Sequence, residues 1–444
     1  MEGPRDLEAA FSLGSKCSIA SRKVCLVCPR QTRQRPIGQR KATILTRRYR
    51  IGSVVVEDDH PAALDILADA YARKIRPFCL CQSAGIPMYI ARIGEEPIVK
   101  RMPLTGSDHH VACPSYEAPY ELSGLGPLIG NAIHIDAADG TAALKLDFSL
   151  TKRGPRAPLA DIQASEGPVK NEARKLSLRG VLHYLWHQAG LTEWTAHWAG
   201  KRHWFQVHAH LADAAREMSV KGRGLAERLY VPETFRAADK PDIERRRAQA
   251  LSALRPASNG VRDLMLLIGE VKDFATARSG QKIVVKHMPG YPLFLEDTTL
   301  RRLQARYARE LELWKAEVGS HLILIATFGL SASGLIVAED VSLMCTSEQW
   351  IPIENIHEQR LVERLARLSQ KSVKGLRFNL PSTKPIAAAA LPHRRQGPVA
   401  LYIVPPDADE AFEAALSDMI AARPDIEPWI WRVAEGDIPD LPVL

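Results

Sequence analysis

Three of the chain's seven cysteines and two adjacent histidines fall within one stretch, residues 76–117, RPFCLCQSAGIPMYIARIGEEPIVKRMPLTGSDHHVACPSYE. In an extended strand, side chains two positions apart share a face, so Cys79 and Cys81 can both address one ion from a C-x-C hook. Cys113 closes the site from a distance. His109 and His110 precede it by four and three residues, and in a turn or short helix either spacing brings an imidazole beside the thiolate. Cys79, Cys81, His109 and Cys113 then make a Cys3His set, four soft or borderline ligands suited to tetrahedral zinc. With every position filled by protein, the expected role is structural, at one zinc per chain. Spacing alone leaves the choice between His109 and His110 open; His109 is the preferred ligand, with His110 free to hydrogen-bond nearby.

Such a clamp needs elements that return the chain to its start. MYIAR and PIVKR alternate like two strands joined by the turn IGEEP, a hairpin leading from the C-x-C toward H-x3-C. Upstream, RRYRIGSVVVE reads as a strand and HPAALDILADAYARK as a helix, and together they deliver the chain to Cys79.

Other candidate chemistry is sparser. Gly124, Gly126 and Gly130 lack the Gly-Lys-Ser/Thr ending of a phosphate loop and read as turns. Cys17, Cys25 and Cys28 have no fourth ligand nearby, and His183 and His187, one helical turn apart, have no cysteine or carboxylate motif to join. Residues 170–250 carry fifteen basic residues against nine acids and read as short helices joined by tight turns. A helix-turn-helix or winged-helix module has this look, with Lys201, Arg202, His203 and Trp204 near a helix start where they could meet phosphates. Residues 262–345 read as strand, strand, helix, strand, strand, the helix being the long TLRRLQARYARELELWKAEV. Within its first strand Glu270-x-Lys272 has the form of a nuclease metal carboxylate and its lysine, the basis of an alternative reading as a metal-dependent nuclease. A third reading is an interaction scaffold that contacts no nucleic acid. In the last ninety residues the order helix, three strands, helix, strand resembles the core of PD-(D/E)xK nucleases. The strands that would need acids read AAAAL and ALYIV, which makes it a degenerate copy if the fold is that one.

RPFCLC, GIPMYIAR, KRMP and HHVACPSYE, with LHYLWHQAGLTEW, GKRHWFQV, LLIGEVKDF, VKHMP and WIPIENIHEQRLVERL downstream, resemble a bacterial family known as domain of unknown function 1173. The likeness runs over roughly residues 45–444. It implies that Cys79, Cys81 and Cys113 match the family's three cysteines, and that the setting is a plasmid or integrated element.

At 444 residues with 46% hydrophobic content, the chain can bury several cores. The expected class is a multidomain α+β protein. Its expected parts are a basic tail over 1–44, a zinc-binding α+β part over 45–150, a linker over 151–172, a helical basic part over 173–250, and two α/β parts over 258–350 and 351–444. No run of eighteen apolar residues occurs and the N-terminus does not read as a signal peptide, so a cytoplasmic protein without a membrane partner is expected. The net charge of +8 is local. Residues 11–56 hold eleven Lys or Arg and no acid, residues 1–10 one Arg against three acids, which leaves 57–444 at −1. The body therefore has no field that would draw nucleic acid to every face. The leading expectation is a zinc-stabilised, non-enzymatic protein of mobile DNA that contacts DNA or a DNA-associated complex through residues near 173–250.

Overall fold

The computed structural model describes residues 47–442, except 59, 94–95, 137–139, 154–173, 255–260, 279, 332, 369–370 and 393–396. The expected tail, the cysteines within it and most of the linker lie outside these residues. Residues Leu45–Leu444 cluster as one compact unit of mixed α+β structure, with eight α-helices among the described residues.

The N-terminal sheet has five strands, in the order Val54–Glu57, Arg48–Ile51, Pro77–Cys79, Ile86–Ile93, Glu96–Arg101. The expected single strand over 47–57 is in fact a hairpin of β1 (Arg48–Ile51) and β2 (Val54–Glu57), paired Ile51 to Val54. Gly52, at φ +60°, supplies the backbone conformation that the two-residue turn needs, which a reading based on apolar residues alone passes over. Helix α1 (Ala63–Ala72) buries Ala63, Leu67 and Ala70 against this sheet. β3 (Pro77–Cys79) lies between β1 and β4 (Ile86–Ile93). β4 pairs with β5 (Glu96–Arg101) as the expected hairpin, Met88 opposite Arg101.

Helix α2 (Leu178–Gln188) begins at Ser177, whose hydroxyl accepts the Gly180 N–H, and ends before Gly190 at φ +69°. Leu178, Val181, Leu182, Leu185 and Trp186 are buried as expected, and Tyr184 and His183 on the other side are buried too. No residue of the helix is fully exposed. The expected helix after Gly190 is replaced over its first half by a short strand, Glu193–Trp194, which pairs with Ser372–Lys374. Only from Trp204 does α3 (Trp204–Arg216) form. Helix α4 (Lys240–Ala250) is mostly solvated.

Strands Met265–Thr276, Gln281–Val285, Leu293–Leu295, Ile336–Thr346 and His321–Leu330 pair in that order, and the last pairs back with the first, so the path closes on itself. Both faces are buried. Met265 and Leu267 join one core and Leu266 and Ile268 the other, which is why these strands read as continuous apolar runs. The expected long helix is two, α5 (Asp297–Arg306) and α6 (Ala308–Ala316), broken at Tyr307. The Tyr307 hydroxyl donates to Ser342 Oγ at 2.7 Å, and that bond anchors the corner.

The C-terminal part follows the expected order: α7 (Ile356–Ala366), strands Ser372–Lys374, Ala389–Leu391 and Val399–Val404, α8 (Glu410–Ala421), and strand Glu427–Arg432. The last strand runs parallel to Val399–Val404 and the other pairings are antiparallel.

Candidate metal centre

Cys79 ends β3, with Tyr49 and Ile86 as its partners on either side, and its side chain is 1% exposed in the N-terminal core. Cys81 is not on the strand with it. It sits in the turn that carries the chain from β3 to β4, where the Gly85 N–H donates to Gln82 O and Gly85 takes φ +75°. The two sulfurs thus come together through a local geometry other than the expected strand face, a turn at a strand end.

His109 and Cys113 come from a compact loop that follows β5. Its neck is closed where the Glu117 N–H donates to Gly106 O at 3.1 Å. A Cβ on Gly106 would lie 2.5 Å from Glu117 Cβ, so only glycine lets the two ends meet. A 3-10 turn, Gly106–Asp108, then leads into His109. Gln82 Nε2 donates to Asp108 O at 3.1 Å and holds the two loops edge to edge. His110 points away, and its Nδ1 accepts the Ala112 N–H at 3.2 Å. His109 is 2% exposed and turns its Nδ1 inward. The loop is bolted from far along the chain: Lys371 Nζ donates to the carbonyls of Pro114 and Tyr116 and also pairs with Glu193. No local signal marks Lys371, whose partners lie 255 and 257 positions earlier.

One donor atom from each of Cys79, Cys81, His109 and Cys113 lies within 4.8 Å of the others, close enough to hold a metal ion. The Cys79 and Cys113 sulfurs are 3.7 Å apart, and His109 Nδ1 is 3.3 Å from Cys81 Sγ and 3.7 Å from Cys113 Sγ. Zn–S bonds of about 2.3 Å and Zn–N bonds of about 2.0–2.1 Å at tetrahedral angles give edges of about 3.8 Å between sulfurs and about 3.6 Å from sulfur to nitrogen. The separations fit that frame, and a disulfide at about 2.05 Å is far shorter. Among the described residues no other group of three or more His, Cys, Asp or Glu gathers in this way.

The thiols are electrostatically unequal. Cys113 is pushed down to about 3, because Cys79 donates to its sulfur and burial is outweighed by further bonds from His109 and the Ser115 N–H. The same contact with Cys113, together with burial, pushes Cys79 up, and burial raises Cys81. A soft cation at the centre would displace the remaining thiol protons.

The other candidates are dispersed. Arg202 is 5% exposed and donates to the carbonyls of Leu191, Glu193 and Gln349, with Trp194 and Trp198 flanking its guanidinium. Trp204 is buried, and its indole N–H donates to Pro232 O at 2.7 Å. Lys201 and His203 remain on the surface, where the ring of Phe205, which the sequence reading passed over, is 61% exposed. Glu270 is buried and accepts from Lys286 and from His321 Nδ1. Burial pushes its carboxyl up, but those two hydrogen bonds outweigh it and hold it below the usual range. Lys272 faces solvent beside a strand irregularity between Val271 and Asp273. Glu270 and Lys272 thus do not converge on a group of acids among the described residues.

No curated protein and no solved structure matches the chain. One family model, described as protein of unknown function (DUF1173), matches residues 49–434, most of the chain, and the protein belongs to that family.

Proposed function

We propose that Cys79, Cys81, His109 and Cys113 hold one structural zinc ion and that the protein is a zinc-stabilised binding protein rather than an enzyme. The supporting observation is the convergence of three sulfurs and one imidazole nitrogen within 4.8 Å, from two loops 28 to 34 residues apart, in a largely buried place. Four protein ligands saturate a tetrahedral ion and leave no position for substrate. A bound zinc supplies folding energy by cross-linking the knuckle after β3 to the 106–117 loop. The chain's own residues do the positioning: Gly106 closes the loop neck, Gln82 sets the distance between the loops, and Lys371 fastens the far side.

The same reading gives the protein a nucleic-acid or nucleoprotein partner, in the bacterial mobile-DNA setting that its resemblance implies. Contact is assigned to the exposed Lys201 and His203 beside Phe205, a charge for phosphate and a ring for base stacking, with Arg202 and Trp204 holding that surface from within. Anisotropy of labelled single- and double-stranded DNA with the full chain, at a series of salt concentrations, tests it. Binding that weakens steeply with salt, and weakens at all salts in Lys201→Glu and Phe205→Ala, is the expected result. Unchanged binding in both variants, or none at low salt, would remove this surface from the account.

A further inference from the structure

A cleft of about 570 Å3 opens on the other side of α2, bounded by the α5–α6 corner, the N-termini of α7 and α8, and the loop 376–388. That volume suits a small organic ligand. The topology favours the same place. Strands Val399–Val404 and Glu427–Arg432 are parallel and joined by α8, and the cleft lies where the first ends and the chain turns into the helix, the position where open α/β sheets take ligands.

The charges around the cleft are unevenly committed. Glu354 pairs with Arg377, Glu358 with Lys374, and Asp409 caps α8 by accepting the Phe412 N–H, while Glu310 enters no ion pair among the described residues and burial pushes its carboxyl up, against the charges of Arg179 and Arg309. Asn355 caps α7 in the same way, by accepting the Glu358 N–H. The arginines are less occupied. Arg306 and Arg309 are exposed and enter no ion pair among the described residues, and Arg179 uses Nε and Nη2 on the carbonyls of Phe378 and Leu380 while Nη1 has no described partner. His183 is 4% exposed and borders the cleft; its Nδ1 accepts the Phe378 N–H at 3.0 Å, which puts the proton of the neutral ring on Nε2. No described residue accepts from that Nε2–H. Asp407, exposed and unpaired among the described residues, comes from the α8 side.

We propose that this cleft binds a phosphorylated small molecule of mononucleotide size, its phosphate held by Arg179, Arg306 and Arg309 with the His183 Nε2–H, and its sugar hydroxyls turned to Asp407. Guanidinium forks match phosphate oxygens in pairs, and a single carboxylate group would leave part of that donor set unused. The proposal is independent of the metal centre.

Isothermal titration of the full chain with AMP, ribose 5-phosphate and inorganic phosphate tests it. AMP is expected to bind most tightly and inorganic phosphate least. The double variant Arg306→Glu, Arg309→Glu, at exposed positions, is expected to weaken AMP by at least about tenfold, with an unchanged thermal midpoint. No binding of any probe at about 1 mM, inorganic phosphate binding as tightly as AMP, or AMP binding unaffected by the charge reversal would each overturn the proposal.

Discussion

His183 makes the fold sensitive to mild acid. The ring lies inside α2's packing shell, with its Nδ1 engaged by the Phe378 N–H. Burial pushes its pKa down to about 3, and the positive charges of Arg179, Lys374 and Arg377 work in the same direction, against the single carboxylate of Glu354. In the unfolded chain the ring titrates near 6.5. Above that pH it is neutral in both states and contributes no pH dependence. Between about 6.5 and about 3 only the unfolded chain takes the proton, so stability falls as pH falls, by about 1.4 kcal/mol per unit. At pH 5 the loss from this one residue is about 2 kcal/mol. The assay is urea unfolding of wild type and His183→Asn at a series of pH values from 7 to 5. Asparagine keeps an acceptor for the Phe378 N–H and carries no titrating group. Release of metal from thiolates in acid is common to both proteins and cancels in the difference. The expected outcome is a variant that is the weaker at pH 7 but loses about 2 kcal/mol less than wild type by pH 5. Parallel curves would refute the claim that His183 is held neutral.

Three further substitutions test the packing at two other places in the fold. Lys374 and Glu358 are each about 4% exposed in their side chains, so Lys374→Met leaves a buried carboxylate without its partner, at a cost of about 3–5 kcal/mol in urea unfolding. Lys374→Met with Glu358→Leu should recover most of that loss, and a single variant within about 1 kcal/mol of wild type would mean water reaches the pair. At Gly124 a Cβ would lie 1.9 Å from the Arg377 carbonyl oxygen, so Gly124→Ala should cost about 1–3 kcal/mol by the same measurement; an unchanged midpoint would show that this backbone crossing yields freely.

The gathering of Cys79, Cys81, His109 and Cys113 was legible because the chain has only seven cysteines and three of them bracket a hairpin whose alternation is plain. What spacing could not decide was the histidine. His109 and His110 are neighbours in sequence, and the difference lies in a local bond: His110 Nδ1 takes the Ala112 N–H, while His109 Nδ1 faces the sulfurs. The order of the C-terminal elements was legible for the same reason as the hairpin, since each carries its own periodicity. The corner at Tyr307 was not, because tyrosine does not break helices and its partner Ser342 lies on a strand formed later in the chain. Arg202 misled in a related way. Its acceptors are backbone carbonyls, one of them 147 positions on, and carbonyls leave no mark in a sequence. The cleft beside His183 was invisible for a fuller version of that reason, since Arg179 of α2 and Arg306 and Arg309 of the α5–α6 corner come to line it only through tertiary packing.

X-ray absorption at the zinc edge, on protein purified without added chelator and with its metal content measured, addresses the clamp directly. About one zinc per chain with three sulfurs at about 2.3 Å and one nitrogen at about 2.0–2.1 Å is the predicted result, and Cys113→Ser should lower the sulfur count by one or empty the site. Protein that is fully folded without stoichiometric metal, or a shell made of oxygen and nitrogen, would contradict it.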